Sequence, residues 1–164
     1  MDHSSDDPPT APPGRLNDAI PQIGEGQRLY VVEGRPWRKA LQWLVDGDLD
    51  GTRPWHGAKD YRDGDVLLTV LSTDPRMVMC LDVTDGDAAA HPGRIRVRDA
   101  ETIFFRHGIS FDALKAMAEI NIQLYRYYQG ADAQKILNAL GREYHLDTPW
   151  FTPERWLNTH GIIW

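Results

Sequence analysis

The stretch Gly64-Asp-Val-Leu-Leu-Thr-Val-Leu-Ser-Thr-Asp-Pro-Arg-Met-Val-Met-Cys-Leu-Asp-Val-Thr-Asp85 holds two apolar runs joined by a short polar link, Ser72 to Pro75. It predicts a buried β-hairpin entered through a glycine-aspartate turn. A continuous Val/Leu run has no polar face, so its strand must be covered on both sides, as at the centre of a small barrel or half-barrel. The Ser72 to Pro75 link would then face a pocket.

Working outward, Arg28 to Glu33 (Arg-Leu-Tyr-Val-Val-Glu) is a compact apolar run that predicts a first core strand, stopped by Gly34. The apolar positions 37, 40, 41, 44 and 45 of Pro36 to Val45 follow helical spacing, and Pro36 suits a helix start. Asp46 to Arg62 reads as a long polar connection carrying Trp55, an aromatic that core packing does not require there. Arg94 to Arg98 alternates, which predicts a half-exposed strand with three arginines on one face. Residues 101 to 106 predict another strand, Ser110 caps a helix through Leu114 and Met117, Ile120 to Tyr128 reads as a last strand, and a closing helix fits Asp132 to Glu143. The order β-α-(loop)-β-β-β-β-α-β-α indicates an α+β domain around a strongly bent mixed sheet with flanking helices.

With 164 residues, 41% of them hydrophobic, the chain can bury one core but not two. Residues 1–26 combine Asp6-Asp7-Pro8-Pro9 with Pro12-Pro13-Gly14 and read as a disordered acidic, proline-rich leader. Residues 27–164 make the domain, with a C-terminal extension from about 144. No run suits a membrane span, and the acidic start is unlike a signal peptide. The lone cysteine, Cys80, lies in an apolar run, so a reducing, cytoplasmic setting is expected and a catalytic thiol is not.

The net charge of −6 argues against a nonspecific nucleic-acid coat. Of 24 acids and 18 bases, residues 1 to 20 hold four acids and one base, so the rest keeps 20 and 17, a balance of −3. Six scattered histidines show no ligand spacing, Asp46 to Gly57 lacks the final glutamate of a calcium loop, and there is no glycine-rich phosphate loop. No metal or cofactor is expected. A triad of Ser72, His56 and Asp74 lacks the Gly-x-Ser-x-Gly elbow that would expose its nucleophile. The aromatic inventory points elsewhere: Trp37, Trp43, Trp55, Tyr61, Tyr125, Tyr127, Tyr128, Trp150 and Trp156 exceed what the strands need for filling. Trp37 and Trp43 sit near apolar helix positions and suit the core. Aromatic faces stack on flat ligands, and an extruded base needs such faces plus polar groups on its pairing edge.

The order of these motifs resembles the PUA-like fold, and within it the EVE-type domains, relatives of the YTH readers. Leu29 to Leu44 with Trp55-His56-Gly57 looks like that group's opening. Tyr61-Arg-Asp-Gly-Asp-Val-Leu-Leu-Thr-Val is similar to its Gly-Asp strand, Val78 to Val83 to the next strand, and Ile109-Ser-Phe-Asp-Ala-Leu-Lys to its helix start. Arg126-Tyr-Tyr-Gln129-Gly130 is similar to its closing element, so coverage runs from 27 to 143. The resemblance implies a non-catalytic reader of a modified base, with 5-methylcytosine or 5-hydroxymethylcytosine in DNA the expected ligand and base flipping the means. It also implies a link to modification-dependent restriction, any cleavage coming from a nuclease partner or domain. Carried over by position, the pocket comprises Glu33, Arg35, Trp55, His56, Ser72, Thr73 and Gln129. The family's usual aromatic after the second strand is here Leu71-Ser72-Thr73, and residues 144 to 164 lie outside the resemblance.

Read from the residues themselves, Trp55 would stack on the base while Ser72 or Thr73 reads its edge. Arg35, Arg38, Lys39 and the Arg94, Arg96 and Arg98 face are the candidate phosphate contacts, a solvated sheet face being the plain alternative for the arginines. Two rival readings stand beside this one. A small hydrolase on a modified nucleoside would use Glu33 as base. A protein-interaction module would bury Trp150, Phe151, Trp156 and Trp164 against a partner.

Overall fold

The computed structural model describes residues 20–46, 51–55 and 57–143. The chain is α+β. A mixed five-stranded sheet is built from β1 (Arg28–Gly34), β3 (Val66–Leu71), β4 (Met77–Val83), β6 (Ile103–Ser110) and β7 (Arg126–Gln129), in the order β6-β4-β3-β1-β7. The strands β2 (Thr52–Arg53) and β5 (Ile95–Arg96) form a separate antiparallel ribbon. Three helices accompany them among the described residues: α1 (Trp37–Asp46), α2 (Phe111–Ala118) and α3 (Gly130–Glu143). Strands β6 and β7 stand at opposite edges, so the sheet is open rather than closed into a barrel.

The expected hairpin is β3–β4, antiparallel from Val66 opposite Val83 to Leu71 opposite Met77. All six residues of β3 are buried, and the layers explain why. Leu29, Val31, Val66, Leu68, Val70, Val78 and Leu81 pack on Leu114, Ile136, Leu137 and Leu140 of α2 and α3. Tyr30, Val32, Leu67, Leu71, Met77 and Met79 pack instead with Ala40 and Leu41 of α1 and with Trp55, Tyr61, Ile95 and Val97. A strand sandwiched between two apolar layers has no solvated face to mark with polar residues. Strand β1 lies parallel to β3, Leu29 opposite Val66, which requires the crossover that α1 and the ribbon supply.

The Gly64-Asp65 turn works through both residues. Gly64 has φ +84°, and the Asp65 carboxylate accepts from the Arg28 N–H at 3.1 Å and the Arg62 N–H at 2.8 Å. This fastens the entry of β3 to the start of β1. Ser110 caps α2 as expected, its hydroxyl accepting from the Ala113 N–H at 3.1 Å.

The structure differs from the sequence reading in three places. Ile120 to Tyr128 is not one strand: only Arg126–Gln129 is extended, because Tyr125 takes φ 65° and breaks the pleat while its N–H already bonds the Val31 carbonyl at 2.7 Å. The polar connection before β3 contains β2, whose short sequence carries no strand periodicity. Within the expected leader, Ile20 is buried in the α2/α3 core and the Ile23 N–H donates to Gln134 Oε1 at 3.2 Å. Residues 1–19, and the extension with Trp150, Phe151, Trp156 and Trp164, lie outside the described residues.

One buried ion pair ties the ribbon to the sheet. Arg53 meets Asp82 of β4 through Nε to Oδ2 and Nη2 to Oδ1, both at 3.1 Å, and Thr102 Oγ1 donates to Asp82 Oδ1 at 2.6 Å. Burial is the largest single effect and acts to lower the Arg53 pKa, yet the Asp82 charge and hydrogen bonds together with Cys80 and Asp99 outweigh it, and the guanidinium is held more firmly protonated than usual.

Candidate functional site

The C-terminal ends of β1 and β3 bring Glu33, Arg35, Ser72 and Thr73 together. The Ser72 N–H bonds the Gly34 carbonyl at 3.2 Å, and the buried Thr73 hydroxyl donates to the Leu71 carbonyl at 3.4 Å. Glu33 is 4% exposed. Its Oε2 accepts from Arg76 Nε at 3.0 Å, its Oε1 from the Tyr125 hydroxyl, and Arg35 Nη1 lies 3.8 Å from Oε1. Both carboxylate oxygens are therefore committed, and the group works as a clamp on Tyr125. Partial burial and then the Glu33 carboxylate push the Tyr125 phenol pKa up, so Tyr125 holds its proton and donates.

Tyr125 leads into an aromatic cleft of about 480 Å³ lined by Arg28, Tyr30, Gly57, Lys59, Asp60, Tyr125 and Tyr127. The β1–β7 register sets Tyr127 opposite Tyr30, with ring centroids 5.6 Å apart and planes at 49°. The Arg28 guanidinium lies 4.4 Å from the Tyr127 ring centroid, and its Nη1 donates to the Tyr30 hydroxyl at 3.1 Å. Tyr30 is buried, whereas Tyr125 is 49% and Tyr127 45% exposed. Neighbouring Tyr128 points the other way, packing on the helical core while its hydroxyl accepts from the Gln123 N–H at 2.8 Å. Gly57 makes the cleft wall possible. It has φ +123°, and a Cβ there would stand 2.9 Å from Val32 Cγ1 and 3.1 Å from Tyr125 Cδ1.

A second cleft, of about 240 Å³, shares Gly57 and Lys59 with the first, and its walls include Trp55, Tyr61, His91 and Arg94. Trp55 lines this cleft, and at 6% exposure it packs with the α1-side core instead of offering an open face. Its indole Nε1 is buried with no hydrogen-bond partner among the described residues. Gln129 is separated from Glu33: it pairs with Arg28 at the opposite end of β1, five residues or roughly 16 Å along the strand. His56 lies outside the described residues.

The expected phosphate contacts divide. Arg38 and Lys39 are exposed on α1, Arg38 lying 4.8 Å from the Trp37 ring centroid and Lys39 6.0 Å from that of Trp43. Ile95 and Val97 point inward and the arginines outward, as alternation required, but Arg96 pairs with Asp85 at 3.5 Å and Arg98 with Asp63 at 3.1 Å. Arg94 is exposed and makes no ion pair among the described residues. Among those residues no group of His, Cys, Asp or Glu could hold a metal ion. Cys80 is buried, and burial pushes its thiol pKa far up, which makes it a packing residue.

The tyrosine cleft was not assigned in the sequence reading. The signal lay in Tyr125-Arg126-Tyr127, an i, i+2 aromatic pair beside a strand that starts Arg28-Leu-Tyr30, but it becomes a site only when β7 docks on β1. No family model matches the chain, and no curated protein or solved structure matches it, so the function rests on the geometry of these residues.

Proposed function

We propose that this chain is a non-catalytic reader that lodges one extruded, modified nucleobase in the tyrosine cleft. The observation that carries it is the pair of half-exposed rings, Tyr125 and Tyr127, beside the Arg28 guanidinium in a cleft of about 480 Å³. That volume falls in the range of small-molecule sites, and aromatic faces with an adjacent cation suit a flat ring attached to a phosphate. Tyr30 and Asp60 line the cleft, and in this reading the Asp60 carboxylate and the Tyr30 hydroxyl, which already accepts from Arg28, would meet a pairing edge while Lys59 would meet a phosphate. A methylated or hydroxymethylated cytosine in DNA is the proposed base, on a sheet of the bent PUA-like type, with any cleavage supplied by a nuclease partner. The hydrolase alternative loses support because Glu33, its proposed base, is committed to Arg76 and Tyr125.

Fluorescence anisotropy with matched duplexes carrying plain, methylated or hydroxymethylated cytosine, and an RNA set, tests this. One modified strand should bind selectively, and Tyr127→Ala should weaken it by about 5- to 150-fold, the equivalent of 1–3 kcal/mol of stacking. With few cations at the cleft, log K should fall against log salt with a slope of only about −2. Equal, salt-erased binding to every strand, or unchanged binding by Tyr127→Ala, would refute the proposal.

A further inference from the structure

The second cleft shares Gly57 and Lys59 with the tyrosine cleft, yet its chemistry is different. Among the described residues it is lined by three basic side chains, Lys59, His91 and Arg94, and by no acid. In a chain of net charge −6 such a local excess of donors is a departure that calls for an anion. Neither Lys59 nor Arg94 makes an ion pair among the described residues, unlike Arg96 and Arg98. Asp87, adjacent in sequence to the lining residue Ala88, is engaged elsewhere, its Oδ1 accepting from the Asp63 N–H at 2.9 Å.

The scaffold around Arg94 is fixed. The Tyr61 hydroxyl donates to the Arg94 carbonyl at 3.0 Å and accepts from the Arg96 N–H at 3.2 Å, and the Arg94 N–H bonds the His91 carbonyl at 3.3 Å. A held backbone places the Arg94 side chain without the ordering cost of a mobile loop. The same wall contains Trp55, whose buried indole N–H has no acceptor among the described residues. The indole N–H is shielded from solvent, so it reports on the wall of the cleft rather than offering a contact to a ligand.

We infer that this second cleft, walled by Trp55, Lys59, His91 and Arg94, is a binding site for a phosphate-class oxyanion. In a part that rests on the base-reading proposal, that oxyanion is the backbone phosphate next to the base in the tyrosine cleft. Gly57 and Lys59, shared by both clefts, then lie between base and phosphate.

The test is a ¹H–¹⁵N titration of the full chain with inorganic phosphate, and separately with a dinucleoside monophosphate, following the indole N–H signals. The Trp55 signal is the one missing from Trp55→Phe. Phosphate should move that signal saturably, and Arg94→Gln, at an exposed position, should weaken the response about fivefold, while Tyr127→Ala leaves phosphate binding unchanged. A tighter dinucleotide whose advantage disappears in Tyr127→Ala supports the backbone phosphate as source. Equal affinities support a free phosphate and remove the bridging part. No movement of the Trp55 signal, or movement unaffected by Arg94→Gln, would overturn the site. Phosphate binding beside failed duplex selectivity would leave the site standing and remove the base reader; duplex selectivity without phosphate binding would do the reverse.

Discussion

Removing one half of the Arg53–Asp82 pair should be among the most damaging single changes in this fold, and removing both halves should be much less so. Arg53 is 2% exposed and Asp82 is fully buried. Replacing Arg53 by Met keeps most of its volume but takes two donors at 3.1 Å from the Asp82 carboxylate, leaving the Thr102 hydroxyl as its main support. A buried charge stripped of its partner costs about 3–5 kcal/mol. For a chain of this size each kcal/mol corresponds to roughly 2–4 °C, so Arg53→Met should lower Tm by about 6–20 °C. Asp82→Leu should cost about as much, by stranding the guanidinium. In Arg53→Met/Asp82→Leu no charge is left buried at this pair, and the double variant should be more stable than either single one. Urea melts at constant m-value measure the cycle. Single-variant losses below about 1 kcal/mol, or losses that simply add, would refute the account of this pair as a buried, mutually dependent unit. Because β2 leads directly into Trp55 and Gly57, the single variants should also lose ligand affinity under conditions where they remain folded.

Two further outcomes follow from the cleft. Gly57→Ala places a methyl against Val32 and Tyr125 at a positive φ, so it should destabilise by about 1–3 kcal/mol and weaken base binding, read by urea melts and anisotropy; full stability would mean that the close approach is unimportant. The phenols of Tyr125 and Tyr30 are both held above their ordinary value of 10.0, mainly by burial, so the folded state retains their protons better than the unfolded chain. The stability this confers is complete below about pH 10 and is lost as pH rises through the folded values. Tyr125→Phe should flatten part of that alkaline decline in Tm, and an identical decline would remove Tyr125 as a contributor.

Much of the architecture was legible locally. The Gly64-Asp65 turn, the two buried runs after it, the Ser110 cap and the 3.6-residue spacing of α1 and α3 each express a rule acting within a few residues. Strand β2 was not legible, because two residues carry no periodicity and are held by partners far along the chain. The candidate site was the least legible part. Glu33, Arg35, Ser72 and Thr73 do meet, since they sit at the ends of adjacent parallel strands, but Trp55 faces a different cleft and Gln129 the far end of β1.

The sequence by itself determined which segments are apolar on which period, and therefore that a sheet with both faces covered would form. Only the tertiary structure decided which aromatic rings stay in water. Trp55 reads as an aromatic in a polar loop until α1 and β5 pack against it, and Tyr125 and Tyr127 read only as part of an aromatic surplus without a place until β7 takes the sheet edge beside Tyr30. The physical reason is that periodicity records how one element partitions between core and solvent, while a ring's exposure depends on which distant element packs against it.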